Sequence, residues 1–235
     1  MIKYEDRMFE KFSLGKDGEF AVPVTLSISK NGVVTAVTYR KTKRIVKRFL
    51  KAHGDDILSQ EPITELKAAL DSVMKKYSYE YDDSSEAILE FEMTSPSDHD
   101  GAETVILKTC EEISRYPADT TLWNLEVDDK DDLDVICAVI QNGRLAAFAS
   151  VNDMAEDGGL EINVECAPNH RRQGFGSSCA AGLANYLISE AKVSKVCYKC
   201  REKNKASEMT ARRAGFIFTR RRFTFVYRRK NNKSP

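Results

Sequence analysis

The sequence predicts an α/β (α+β) chain, and three observations lead there. Asn31-Gly32 and Asn142-Gly143 each lie between alternating, β-rich runs, which is the short-range signature of a hairpin. Apolar stripes at helical spacing occupy Lys43–His53 and Pro62–Tyr77. An alternating run, Leu160 to Cys166, enters a basic, Gly-containing loop and then a helical pattern reaching about Ala191.

Taken in order, Phe20 to Ile28 and Val33 to Tyr39 alternate as the strands of the first hairpin, turning at Lys30-Asn31-Gly32. Helix 43–53 places Ile45, Phe49 and Ala52 on one face. The helix over 62–77 does the same with Leu66, Ala69, Leu70 and Val73, and Pro62 is tolerated in its first turn. Polar, acidic residues 80–86 read as a linker, so 1–84 is expected to be a small α+β domain. Residues 85–230 are expected to be the main domain, and 231–235 a polar tail. In the main domain, Ala87 to Met93 reads as a strand and Ser95-Pro96-Ser97-Asp98 as turn and cap. Asp100 to Arg115 is expected to be a helix carrying Val105, Leu107 and Ile113. Residues 117–132 are polar, anchored by Trp123 and Leu125. Val135 to Ile140 and Leu145 to Val151 form the second hairpin, and Asp157-Gly158-Gly159 turns into the strand 160–166. The following helix buries Phe175, Cys179, Leu183 and Tyr186 or Leu187; Val193 to Cys200 is a strand. Phe216–Phe218 and Thr224–Arg228 close the sheet.

Charged residues make up 31% and hydrophobic ones 42%, ordinary for a globular domain. No apolar run reaches the length of a membrane span, and Met1 to Asp6 is unlike a signal peptide. A cytoplasmic protein without membrane partners is the expectation. The six cysteines lie mostly in apolar runs, as free buried thiols do. Cys197-x-x-Cys200 has no second pair and no neighbouring His, and His53, His99 and His170 are scattered, so no metal is assigned. Net charge is zero but uneven: residues 166–235 hold 17 Lys/Arg against 3 Asp/Glu. That basic half suits a nucleotide with several phosphates, while the acidic half suits an amine. Asp128, Asp129, Asp131, Asp132 and Asp134 are more simply a solvated loop.

The run from Pro168 to Ser177 is the most informative. A helix N-terminus directs unsatisfied N–H groups and the positive end of its dipole outward, which makes an anion site. Gly174 and Gly176 remove side chains there, and Arg171 and Arg172 add charge. Neither the dinucleotide fingerprint nor a P-loop is present.

Arg171-x-x-Gly174-x-Gly176, inside Pro168-x-x-Arg171, resembles the R/Q-x-x-G-x-G/A signature of the GNAT N-acetyltransferase superfamily. Asn204-Lys205-Ala206-Ser207 followed by Gly215-Phe216 resembles its second motif. The likeness spans about 85–230. It implies a mixed, mostly antiparallel GNAT-type sheet flanked by helices, with acetyl-CoA as co-substrate and no metal. By that resemblance, Val164 and Cys166 meet the pantetheine amides. Arg171, Arg172, Gln173, Gly174, Phe175, Gly176 and Ser177 hold the pyrophosphate, and Asn204 and Ser207 flank the thioester arm. Transfer to a primary amine of a small molecule or peptide then needs a base. Glu161, Asn163 and Glu165 share the face opposite Leu160, Ile162, Val164 and Cys166; Glu165 is the first choice and Glu161 the second. Where relatives place a proton-donating Tyr, this chain has Ala211, which leaves a water or another Tyr such as Tyr198. The alternative is a catalytically impaired acyl-CoA-binding or regulatory protein. Nucleic-acid binding through Arg220-Arg221-Arg222 and Arg228-Arg229-Lys230 ranks low, because the alternation around Phe223, Phe225 and Tyr227 is that of a half-buried terminal strand. A homo-oligomer is left open.

Overall fold

The computed structural model describes residues 2–6, 20–54, 56–117, 135–155 and 158–230. In chain order the elements are β1 Ile2–Asp6, β2 Phe20–Ser29, β3 Val34–Thr38, α1 Lys43–His53, α2 Gln60–Met74, β4 Tyr79–Tyr81, β5 Ala87–Met93 and β6 Val105–Leu107. There follow α3 Cys110–Ser114, β7 Ile136–Gln141, β8 Arg144–Met154, β9 Leu160–Cys166, α4 Phe175–Ser189, β10 Val196–Arg201, α5 Lys205–Arg213 and β11 Ile217–Arg229. The chain divides into two compact units. The first comprises residues 1–89, 201–203 and 220–235, and the second 90–200 and 204–219.

In the first unit the strand order is β1-β3-β2-β11, with β4 also on β11. β2 and β3 form the expected hairpin: the Gly32 N–H donates to the Ser29 carbonyl at 2.9 Å, and Gly32 sits at φ +71°. Helices α1 and α2 cover this sheet. Val46, Phe49 and Leu50 from α1 meet Leu66, Leu70 and Met74 from α2 over Val24, Leu26 and Phe225. Ala52 is exposed, so the buried stripe of α1 lies one position away from the expected one. Tyr227 donates from its hydroxyl to Asp71 Oδ1 at 2.8 Å, tying β11 to α2; burial, then the Asp71 carboxylate, raise its pKa far above that of an ordinary phenol. Residues 80 and 81 of the expected linker belong instead to β4, in which Tyr79 and Tyr81 alternate with Glu80 and Tyr79 is buried. The two expected closing strands are one, β11, with a register shift between Phe225 and Tyr227.

The second unit orders its strands β5-β10-β9-β8-β7-β6. All the pairings from β6 to β9 are antiparallel, and β9 with β10 is parallel, so the sheet is mixed. The β7–β8 hairpin turns on Asn142 at φ +53° and Gly143 at φ +73°, the left-handed pair that this tight turn requires. One face of β7 and β8 packs Ile136, Ala138, Leu145 and Phe148 against Leu107 and Ile113. Toward α4 the packing is close: a Cβ on Gly182 would lie 2.5 Å from Cys137 Sγ and 3.0 Å from Thr104 Oγ1. Gly182→Ala is therefore expected to cost about 1–3 kcal/mol by overpacking, read as a lower denaturant midpoint at unchanged slope.

The expected helix over 100–115 is replaced by β6 and the short α3. Val105 and Ile106 favour extended backbone, and Thr109 starts the helix only at 110. Thr109 Oγ1 accepts from the Glu112 N–H at 3.1 Å while Glu112 accepts from the Lys108 N–H at 2.7 Å. This Thr-x-x-Glu pattern, in which Glu112 reaches back to Lys108 rather than to the N-cap itself, is legible in the sequence. Trp123, Leu125 and the aspartates of 128–134 lie outside the described residues.

Cys137 is buried, and that burial pushes its thiol from 9.0 to about 11, against a smaller lowering by a hydrogen bond from Thr104. The unfolded thiol ionises first, so this contribution is intact below pH 9 and is lost as pH rises toward 11. The loss is about 2 kcal/mol by pH 11. Urea melts at pH 8 and pH 11 should show a smaller pH effect in Cys137→Ala than in wild type.

Candidate acyl-donor and amine site

All the elements of this site belong to the second unit. β9 is paired on both edges at its start and on one edge at its end. Its parallel partners on β10 run only from Leu160 opposite Val196 to Ile162 opposite Tyr198, while β8 continues beside it as far as Cys166. Strands β9 and β10 thus part after Ile162. Leu160 donates its N–H to Lys195 O, and the Ala167 N–H faces β8 through Ala146 O. By the alternation of a strand, the N–H and C=O groups of Val164 and Cys166 point into the gap. Arg171 Nε donates to the Cys166 carbonyl at 3.2 Å, so this arginine braces the strand end.

The turn into α4 is built from two left-handed residues, Arg172 at φ +64° and Gly174 at φ +85°. Such alternation turns successive N–H groups toward one side. Gly174 is the N-cap and no side chain caps the helix. Ser177 and Ser178 hydroxyls donate back to the Gly174 carbonyl at 2.7 and 3.2 Å and so leave the first-turn amides uncapped. Among the described residues, the N–H groups of Gly174, Phe175, Gly176 and Ser177 have no protein acceptor. Gly176 faces the gap: a Cβ there would lie 3.5 Å from Val164 Cγ1 and 3.7 Å from Thr210 Cγ2, ordinary contact. Its α4 turn, β9 and α5 therefore converge. Arg171, Arg172 and Gln173 are exposed around the turn.

Across the gap, α5 starts at Asn204, whose Oδ1 accepts from the Ser207 N–H at 3.1 Å. That capping bond occupies Asn204 Oδ1 and leaves the Ser207 hydroxyl to meet Tyr198 Oη at 2.8 Å. Tyr198 lies at the last paired position before the strands part. It is buried, which raises its phenol pKa, while the Ser207 bond lowers it by less. Ala211, one turn on from Ser207, is fully buried.

On the opposite face of β9 the two candidate bases differ. Glu161 is in an ion pair with Lys199 of β10, both largely buried. Glu165 is half-buried opposite Phe148, beyond the end of the β10 pairing. The Lys199 partner was not apparent from the sequence, since strand register is not.

A loop crosses near the same helix. Ser178 Oγ accepts from the Ala102 N–H at 2.9 Å, and Asn185 exchanges two hydrogen bonds with the Ser97 backbone at 2.8 and 2.9 Å. Residues 97–102 are thereby fastened along α4. Among the described residues no group of His, Cys, Asp or Glu is placed to hold a metal, and no helix is long and apolar enough to cross a membrane.

This arrangement can bind an anion at an uncapped helix start and a chain of amides along a half-paired strand. Residues 74–217 match the family described as the acetyltransferase (GNAT) domain. The chain belongs to the GNAT acetyltransferase family, whose chemistry is acyl transfer. A relative named "Uncharacterized N-acetyltransferase YjdG" from Bacillus subtilis is 33% identical over 67 residues, a stretch covering 28% of this chain and 40% of that protein. Among solved structures, an acetyltransferase of the GNAT family from Colwellia psychrerythraea aligns over 63% of this chain and 57% of its own, at 13% identity and a TM-score of 0.43. A GCN5-related N-acetyltransferase from Sphaerobacter thermophilus aligns over 82% and 71%, at 13% identity and a TM-score of 0.46. The match thus spans well under two thirds of the Bacillus and Colwellia proteins.

Proposed function

We propose that this chain moves the acetyl group of acetyl-CoA to a primary amine of a small molecule or peptide by direct attack, with residues 85–230 carrying the transfer and 1–84 forming a smaller α+β domain. The observation that supports it most is the parting of β9 from β10 beside the uncapped start of α4. The amides from Arg172 to Ser177 would take the pyrophosphate, and the edge of Val164 and Cys166 the pantetheine amides. Acetyl-CoA, when bound, supplies an activated thioester.

Glu165 is the proposed base, since an amine arrives as an ammonium ion and must lose a proton before it attacks. Glu161 is the weaker candidate, its carboxylate being held by Lys199. A backbone N–H around Cys166 would stabilise charge developing on the acyl oxygen. Tyr198, through Ser207, is the proposed source of the proton for the departing thiolate.

Ala211 favours the second reading, an acyl-CoA-binding protein without turnover, because no hydroxyl stands at that position. Thiol release from acetyl-CoA across a panel of amines separates the two. Amine-dependent release supports the enzyme, and tight acetyl-CoA binding without release on any amine supports the binder.

A further inference from the structure

We propose that the first unit carries a binding face for single-stranded nucleic acid, centred on α1 and distinct from the acyl-transfer site. From Phe20 to Gly54 the chain has eight Lys/Arg and no Asp or Glu. The first unit as a whole holds 24 Lys/Arg against 15 Asp/Glu, and the second unit the reverse balance, 12 against 21. The cations gather on one surface. Arg40, Lys41, Arg44, Lys47, Arg48 and Lys51 are all exposed, at the start and along the outer side of α1.

The face extends beyond one helix. Lys41 Nζ donates to Tyr77 Oη at 2.7 Å and lies 4.4 Å from the centre of its ring, and Lys75 and Lys76, which precede Tyr77 in the chain, are exposed. Of the C-terminal cations, Arg221 pairs with Glu202, Arg228 with Asp82 and Lys230 with Glu80.

Two features select the polyanion. Arg48 borders a recess of about 420 Å³ between α1 and α2, floored by Ile45, Phe49, Leu66 and Ala69. Glu65 on its rim is engaged by His53 at 2.8 Å. Tyr77, at 36% exposure, adds a ring with Lys41 Nζ over one face. An apolar-lined recess and an aromatic ring interleaved with cations suit bases and phosphates together, whereas an acidic polypeptide would use only the cations. Insertion into a lipid surface is excluded for α1, because its apolar residues Val46, Phe49 and Leu50 are buried in the core.

The test is fluorescence anisotropy of labelled oligouridine RNA against the full chain, from about 50 to 200 mM KCl. Wild type should bind with affinity falling steeply in salt. Arg44→Glu/Arg48→Glu/Lys51→Glu should bind at least about tenfold more weakly, with a log–log salt slope shallower by about 2, since each single-strand phosphate contributes about 0.7. These side chains are exposed, so circular dichroism should be unchanged; should the triple variant unfold, Arg48→Gln is read instead, expecting about a threefold or greater loss. Unchanged affinity and slope in the variants overturns the proposal. So does displacement of the RNA by polyglutamate as efficient as by unlabelled RNA, which would make an acidic polypeptide the partner.

Discussion

Gly174→Glu is expected to weaken acetyl-CoA binding by about 100-fold or more, equivalent to about 2.7 kcal/mol, in a protein that still folds. Gly174 is the N-cap of α4 at φ +85°, where a Cβ is strained by about 1–2 kcal/mol. The space beyond is open, since the nearest atom to a Cβ is Ser177 Oγ at 4.0 Å. The new side chain is thus accommodated, but its carboxylate occupies the positive end of the helix and competes for the amides of Phe175, Gly176 and Ser177. Calorimetric titration reads the affinity, and a thermal melt reads the fold. An affinity matching wild type would remove the α4 turn from the site. Gly174→Ala is the informative companion, because it carries the strain without the charge and should lose far less binding.

Glu165→Gln is expected to lower kcat by about 10²–10³ with little change in the KM for acetyl-CoA, as loss of a positioned base does. Glu161→Gln should fall less. Its carboxylate serves Lys199, and removing it leaves a largely buried ammonium without its partner, an effect on stability more than on chemistry. The pH profile distinguishes the roles: Glu165→Gln should recover rate at alkaline pH, where the amine is already deprotonated, and Glu161→Gln should not. Equal losses in the two variants would place the base elsewhere.

Much of this architecture is legible in the residues because it is local. Asn142-Gly143 demands left-handed backbone, so the hairpin was readable; Leu160–Cys166 alternates, and α4 begins at the glycine that a helix start with φ +85° requires. Helix α1 was placed to the residue, although its buried stripe includes Val46 and Leu50 and leaves Ala52 out. The short β6 and α3 were misread as one helix because Val105, Leu107 and Ile113 fit a helical stripe, while the N-cap at Thr109 marked the true start. What stayed hidden depends on register and on which strands adjoin. Lys199 reaches Glu161 because β10 lies parallel to β9 over three residues, and Tyr198 meets Ser207 because α5 packs back on β10. Likewise, the pairing of Arg221 with Glu202 joins residues whose approach no periodicity encodes. The glycines and charges of the proposed anion site are legible in the sequence, and the contact of Tyr198 with Ser207 is not.

In the proposed site, backbone amides from Arg172 to Ser177 receive a diphosphate. Residue-resolved ¹H–¹⁵N spectra recorded during a titration with CoA test it most directly. The amide resonances of Gly174, Phe175, Gly176 and Ser177 should show the largest shifts, saturating together with those of Val164 and Cys166. Saturable binding that leaves those amides in place, or no binding at all, would contradict it.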